Sequence, residues 1–239
     1  MNQTAPPRYT IAVLGGTGNE GPGLALRWAK AGHRVIIGSR RAEKALRVAG
    51  ELNAKLGPGS AEGGTGSAGG GKIKGMANPD AAAACEVAVI TVPYSAQNAL
   101  LATLREPLQS KVLVNVNVAM KPPKVARVFI PPEGSASEQA QAILGDGVTV
   151  VAAFQNVSAS ELEHPDTPID CDVLVCGNKR AAKRIAITLA EDIGTRGIDA
   201  GALVNAKAVE AMTSVLIGIN IRYKIHGAGV RITGLEGKL

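Results

Sequence analysis

The chain has 239 residues, 46% of them apolar, and a formal net charge of +6. This is ample material for a buried core, but the Lys and Arg are scattered and there are only one Trp, three Tyr and two Phe. The dense basic stripe or aromatic platforms of a nucleic-acid binder are therefore missing. No run approaches the roughly 18 to 20 apolar residues of a membrane span, and the opening MNQTAPPRYT lacks the pattern of a secretory leader. A cytoplasmic protein is expected, with neither nucleic acid nor membrane as partner. Cys85, Cys171 and Cys176 make neither a disulfide framework nor a zinc site, so no metal is expected.

In chain order, residues 9–14 read as a short apolar strand and residues 19–31 as a helix that Gly32 stops. RVIIG at 34–38 is a second strand and 42–56 a second helix, giving a βαβα series and hence a parallel sheet. Residues 57–71, GPGSAEGGTGSAGGG, hold eight glycines and no large apolar side chain. They read as a flexible surface insertion, because they bury too little to offset the cost of ordering. The series resumes with a strand at 72–75, a helix at 78–85 and the strand EVAVITV. Helices near 97–104 and 135–144 alternate with the strands KVLVNVNV and GVTVVAAF. Nearly continuous Val/Ile runs suit strands covered on both faces. Beyond residue 155 come one more strand, CDVLVCG, helices at 179–192 and 204–221, and a glycine-rich tail. The expected architecture is an α/β Rossmann-type parallel sheet over 1–160 with a small, mainly helical C-terminal domain over 161–239.

Gly16, Gly18 and Gly21 stand in the order G-x-G-x-x-G between the first strand and the first helix. In a dinucleotide site the first allows the tight turn and the second lets a pyrophosphate reach the backbone. The third lets helix and strand pack closely, with the helix N-terminus favouring negative charge. Pro22 falls in the first helical turn, where its missing N–H costs little. Glu20 is less comfortable, since a carboxylate beside the loop repels phosphate unless it points away.

At the end of the second strand an NAD enzyme carries an acid for the ribose 2′-hydroxyl. Here that place holds Ser39, Arg40 and Arg41, with Lys44 one helical turn beyond Arg40. A unit charge pair at about 4 Å and an effective dielectric near 20 is worth on the order of 4 kcal/mol before desolvation, so NADP is expected in preference to NAD. Arg40 can bind the 2′-phosphate through its planar fork and stack on adenine, while Ser39 donates and Lys44 adds a point charge.

Ligands of such sheets lie outside the carboxyl ends of the strands. Those ends carry TVPYSA, NVNVAM and FQNVSAS, which supply small, apolar and amide groups but no strong acid or base. None of Tyr9, Tyr94 and Tyr223 has Lys four residues later, so the short-chain-dehydrogenase pair is absent. His33 is expected on the far side of the sheet. Oxidation of an alcohol needs a proton acceptor, whereas hydride exchange between two ring cofactors mainly needs the rings held together and water excluded.

The stretches LGGTGNEGPGLALRWAKAGHRVIIGSRRAEKA, ACEVAVITVPY and DAGALVNAKAVEAMTSVLIGIN closely resemble the coenzyme F-420 dependent NADP reductases. The resemblance runs over nearly the whole chain apart from the glycine-rich insertion. It implies reversible hydride transfer between C4 of the nicotinamide of NADP(H) and C5 of the 8-hydroxy-5-deazaflavin coenzyme F420, with no catalytic side chain and commonly as a homodimer. By position it implies a pyrophosphate loop at Thr17, Gly18, Asn19 and Glu20, and a 2′-phosphate site at Ser39, Arg40 and Lys44. It implies nicotinamide contacts at Val92, Pro93, Val118 and Ala159, and deazaflavin packing at Val157. Glu20 replaces an apolar residue of the family, Gln155 and Ser158 stand where archaeal members can have His and Pro, and Tyr94 stands for Trp. Two other readings fit the same residues. An NADP-dependent reductase of a small imine or carbonyl would oxidise NADPH without deazaflavin, and a non-enzymatic NADP redox sensor would bind without turnover.

Overall fold

A computed structural model of the chain describes residues 7–57, 72–235 and 237. The insertion expected over 57–71 lies outside the described residues except for Gly57. The first half alternates strand and helix as β1 (Thr10–Leu14), α1 (Gly21–Lys30), β2 (Arg34–Ser39), α2 (Ala42–Leu56), β3 (Lys74–Ala77), α3 (Asn78–Ala84) and β4 (Val87–Ile90). There follow α4 (Tyr94–Leu104), β5 (Val112–Asn115), α5 (Ala136–Leu144), β6 (Thr149–Ala152) and a short α6 (Ala159–Leu162). The chain then forms β7 (Asp172–Gly177), α7 (Arg180–Glu191), β8 (Arg196–Asp199), a 3-10 turn at Leu203–Asn205 and α8 (Ala206–Tyr223).

The eight strands form one sheet in the order β3-β2-β1-β4-β5-β6-β7-β8. Neighbours are parallel, except that β7 runs antiparallel to β6 through the pairs Val151 with Gly177 and Ala152 with Cys176. The Rossmann-type parallel sheet expected from the βαβα pattern is thus present, and it continues past residue 160, where β7 and β8 extend it into the part expected to be mainly helical. β8 is the strand the sequence did not announce. RGID is short, contains Gly and is charged at both ends, so it carries no alternation; its pairing with β7 comes from α7 packing over both strands.

Strand residues alternate between two apolar layers. Ile11 and Val13 of β1 face α1, α2 and α7, where Leu24, Trp28, Val48 and Leu189 are buried. Ala12 and Leu14 face the opposite layer with Ala81, Leu101, Leu104 and Val209. Burial on both faces is why the central strands read as unbroken Val/Ile runs. Trp28 is fully buried, packs edge-on to Phe154 with centroids 5.7 Å apart, and donates its indole N–H to the Leu189 carbonyl at 2.9 Å. Removing the water from such a side chain contributes roughly 1.5 to 3 kcal/mol, and the indole donor is satisfied at the same time.

The order β2-β1-β4 contains the switch point. The chain winds outward from β1 to β3 and then returns to the other side of β1, so the connections leaving β1 and β4 diverge above their carboxyl ends. A crevice opens there.

Candidate functional site

The turn after β1 is built from backbone that only glycine fits. Gly15 has φ +70°, and a Cβ there would come within 2.1 Å of Val92 Cγ1. Its N–H is accepted by Asn78 Oδ1 at 3.1 Å. Gly16 donates to the carbonyls of Val13 and Gly38, and a Cβ on Gly21 would lie 2.5 Å from the Gly16 Cα. Gly16 therefore makes the turn and Gly21 packs α1 against it. At Gly18 an added Cβ would meet nothing nearer than 3.9 Å, so this backbone is open at the N-terminus of α1. Gly16 and Gly21 are thus held by packing and Gly18 is left open, while Gly15 and Asn78 were not read from the sequence. Asn78 looks like an ordinary helix start before Pro79, and nothing local announces a partner 63 residues away.

Ser39 ends β2 and is buried, with its hydroxyl oxygen 3.4 Å from the N–H of Arg41, which it accepts. Arg41 is the extended residue preceding α2. Arg40 and Arg41 are exposed and Lys44 is half-buried; none of the three forms an ion pair among the described residues. Unpaired cations at the positive end of a helix are unfavourable unless an anion joins them, which fits a 2′-phosphate. These four residues sit at the end of β2 and lie outside the lining of the main cleft, as do Gly16, Thr17 and Gly21.

That cleft has a volume of about 540 Å³. Gly18, Asn19 and Glu20 form one wall, Val92 and Pro93 come from the end of β4, and Val118 from the end of β5. Val157 and Ala159 follow β6. Thr213, Leu216 and Asn220 of α8, with Ala228 of the tail, complete it. Sequence reasoning left α8 without assigned contacts, because its apolar residues read equally well as core.

Behind Asn117 of the lining lies an amide network. Gln97 Oε1 accepts from the side-chain amides of Asn115 at 3.2 Å and Asn117 at 2.9 Å, and Gln97 Nε2 donates to the Ala136 carbonyl. Phe154 holds φ +73° as the chain leaves β6, a turn that presents the next residues to the cleft. Gln155 Nε2 donates to the Asn115 carbonyl and Asn156 Nδ2 to the Asp172 carbonyl, while Thr213 Oγ1 donates to the Gln155 carbonyl at 2.8 Å. The side-chain oxygens Gln155 Oε1 and Asn156 Oδ1 are buried and have no partner in the protein. Buried acceptors of this kind are normally satisfied, so two orphans in a cleft wall suit a ligand with N–H donors, as a carboxamide or a flavin-like ring provides. Glu210 of α8 accepts from the N–H groups of Ala136 and Ser137 and from Ser137 Oγ, which fixes α8 to the N-terminus of α5. Burial still pushes its pKa up against those hydrogen bonds.

Among the described lining residues the acids are Glu20 and Tyr94. Glu20 is half-buried at the N-terminus of α1 with no capping bond, and burial raises its carboxyl to about 8. It is therefore protonated and uncharged at neutral pH, which removes the repulsion a carboxylate there implies. His33 is buried at the start of β2, away from the cleft, where Nδ1 accepts the Tyr9 N–H and Nε2 lies 2.8 Å from Asp192 Oδ2. His164 and His226 are exposed and do not line the cleft. No described histidine is placed as a base.

The family model described as NADP oxidoreductase coenzyme F420-dependent matches residues 10–119. An F420-dependent NADP reductase of Methanocaldococcus jannaschii is 43% identical over 230 residues, covering 95% of this chain and 99% of that protein. One from Methanothermobacter thermautotrophicus is 44% identical over 230 residues, covering 94% and 95%. Among solved structures, a candidate F420-dependent NADP-reductase from Arthrobacter sp. FB24 superposes with a TM-score of 0.77 at 25% identity, covering 94% of this chain and 99% of its own. With identity at this level over almost its full length, the chain belongs to the family of F420-dependent NADP reductases.

Proposed function

We propose that this protein transfers a hydride reversibly between NADP(H) and the deazaflavin coenzyme F420, with both rings held in the cleft between the ends of β4, β5 and β6 and the face of α8. The observation that carries the reading is the cleft wall itself: aliphatic and amide groups, two orphaned acceptors, and no histidine, lysine or arginine among the described lining residues. When bound, the two cofactors supply the chemistry, a hydride passing between C4 of the nicotinamide and C5 of the deazaflavin. The protein contributes position, dryness and polarity.

Thr17, Gly18, Asn19 and Glu20, with Gly16 and Gly21 shaping the turn, receive the pyrophosphate at the N-terminus of α1. Ser39, Arg40, Arg41 and Lys44 hold the 2′-phosphate. Val92, Pro93, Val118 and Ala159 pack on the nicotinamide and Val157 on the deazaflavin. Residues 1–160 thus act as the NADP-binding unit, and 161–239 supply the far wall through Thr213, Leu216 and Asn220. No described helix is long and apolar enough to cross a membrane. The protein works in the cytoplasm, which suits three free, buried thiols, and as a homodimer, for which Met212 and Val215 offer exposed apolar surface on α8.

Direct transfer is tested with NADPH deuterated at the transferred C4 position. The label should appear at C5 of the reduced deazaflavin undiluted by solvent hydrogen; washing out of the label would mean that a protein group or water intervenes.

A further inference from the structure

Thr213, Leu216, Ile217 and Asn220 bring one face of α8 to the cleft, so the placement of this helix sets how wide the cleft is. Its apolar contacts, through buried Ala206, Val209 and Leu216, hold it against the core. Such contacts are non-directional and do not by themselves fix where along its axis the helix rests. Two polar side chains, one turn apart, supply that direction.

Glu210 is 3% exposed and is not among the described lining residues. Its Oε2 accepts the Ala136 N–H at 2.7 Å, and its Oε1 accepts the Ser137 N–H at 3.0 Å and the Ser137 hydroxyl at 2.7 Å. The carboxylate thus occupies the positive end of α5, which favours its charge. The backbone of Ala119, next to Val118 of the lining, also stabilises the ionised form. The connection continues inward. The Ala136 carbonyl accepts Gln97 Nε2 at 2.9 Å, and Gln97 Oε1 accepts Asn115 Nδ2 at 3.2 Å and Asn117 Nδ2 at 2.9 Å.

From the other side, Thr213 Oγ1 donates to the Gln155 carbonyl at 2.8 Å, and Gln155 Nε2 donates to the Asn115 carbonyl at 2.7 Å. Both paths therefore meet at Asn115, the last residue of β5, and Glu210, Ala136, Gln97, Asn115, Gln155 and Thr213 form a closed circuit of hydrogen bonds that leaves α8 and returns to it. Asn117, Val118, Gln155 and Val157, which follow β5 and β6, all line the cleft. We propose, resting on the hydride-transfer reading given above, that Glu210 and Thr213 are positioning residues, which set the separation of nicotinamide and deazaflavin by closing this circuit. Transfer needs the reacting atoms about 3 to 3.5 Å apart, and a shift of about 1 Å costs on the order of 100-fold in rate. In a closed circuit α8 cannot slide or lift without stretching several bonds together. Glutamine at position 210 cannot replace the carboxylate, because one of its two acceptors becomes an N–H group that faces a donor.

Single-turnover hydride transfer from NADPH to oxidised F420, with both saturating, is measured beside the Kd for NADPH and the unfolding temperature. In Glu210→Gln the transfer rate should fall roughly 100-fold and in Thr213→Val about tenfold, with the Kd for NADPH within about twofold of that of the unsubstituted protein. Thr213→Ser keeps the hydroxyl and should hold the rate within about twofold of the unsubstituted value. A role in stability alone would lower the unfolding temperature and leave the transfer rate of the folded, NADPH-binding protein unchanged. That result, or equal rates in Thr213→Val and Thr213→Ser, would overturn the positioning role. The threonine pair decides the matter if Glu210→Gln does not fold. Absence of transfer in the unsubstituted protein would instead overturn the hydride-transfer reading, and the positioning role with it.

Discussion

Asn78 Oδ1 accepts the backbone N–H of Gly15 at 3.1 Å, so the first residue of α3 fixes the turn that begins the glycine loop after β1. The same oxygen would stand 2.7 Å from a Cβ on Gly38, so Asn78 lies where β1 and β2 both end. Asn78→Ala leaves a part-buried donor without a partner, which costs roughly 1 to 3 kcal/mol. Thermal unfolding should shift down accordingly, and the Kd for NADPH should rise about tenfold while a substrate-free apolar core far from the loop stays intact by near-UV circular dichroism.

Arg40 is exposed and carries its charge at the start of α2 without an ion pair among the described residues. A charge-assisted bond of about 1.5 to 3 kcal/mol corresponds to a loss of roughly 10- to 100-fold when it is removed. In Arg40→Ala, NADP affinity should fall by that factor and NAD affinity should change little. Titration of both nucleotides measures the ratio, and an unchanged ratio would remove the 2′-phosphate assignment.

Glu20 gives a pH dependence of defined sign. Its carboxyl is raised by burial from an ordinary value of 4.5 to about 8, so the folded protein holds this proton more tightly than the unfolded chain does. The stabilising contribution is complete below the unfolded value and is lost as pH rises through about 8. NADPH affinity should weaken over the upper part of the same window, as an anion appears beside the pyrophosphate loop. Glu20→Gln should flatten both profiles, read by calorimetry and by nucleotide titration.

Arg27 of α1 is buried, and its guanidinium donates to the carbonyls of Glu161, Leu162, His164, Thr167 and Ile193. It ties α1 to the segment just after Val157 and Ala159. Arg27→Leu keeps the apolar volume but leaves those carbonyls unanswered, and about 3 kcal/mol of stability should be lost. Urea unfolding should show a lower midpoint with an unchanged slope.

The sequence was most readable where physics is local. Gly16, Gly18 and Gly21 perform separable tasks within one turn, and Val/Ile runs report strands covered on both faces. Ser39, Arg40, Arg41 and Lys44 stand at and just after the end of β2, where the βαβ unit defines the position and their charge is what motivates the 2′-phosphate proposal. What escaped depends on tertiary partners. β8 is held by β7 and α7 and not by its own composition. Asn78 acts at a distance of 63 residues, and Thr213 reaches the cleft because Glu210, one turn earlier, anchors α8 on α5. The tail was unassigned for the same reason: Asp172 N–H donates to the Val230 carbonyl, and Ser158 Oγ to the His226 carbonyl, contacts that no spacing rule anticipates.

Hydride transfer between the two cofactors is read by mixing the purified protein with NADPH and oxidised F420 and following the long-wavelength absorbance of the deazaflavin. NADH and flavin mononucleotide are run in parallel. Rapid bleaching with NADPH and F420, and little with either substitute, is the expected result. NADPH binding without any bleaching would rule out hydride transfer from NADPH to F420.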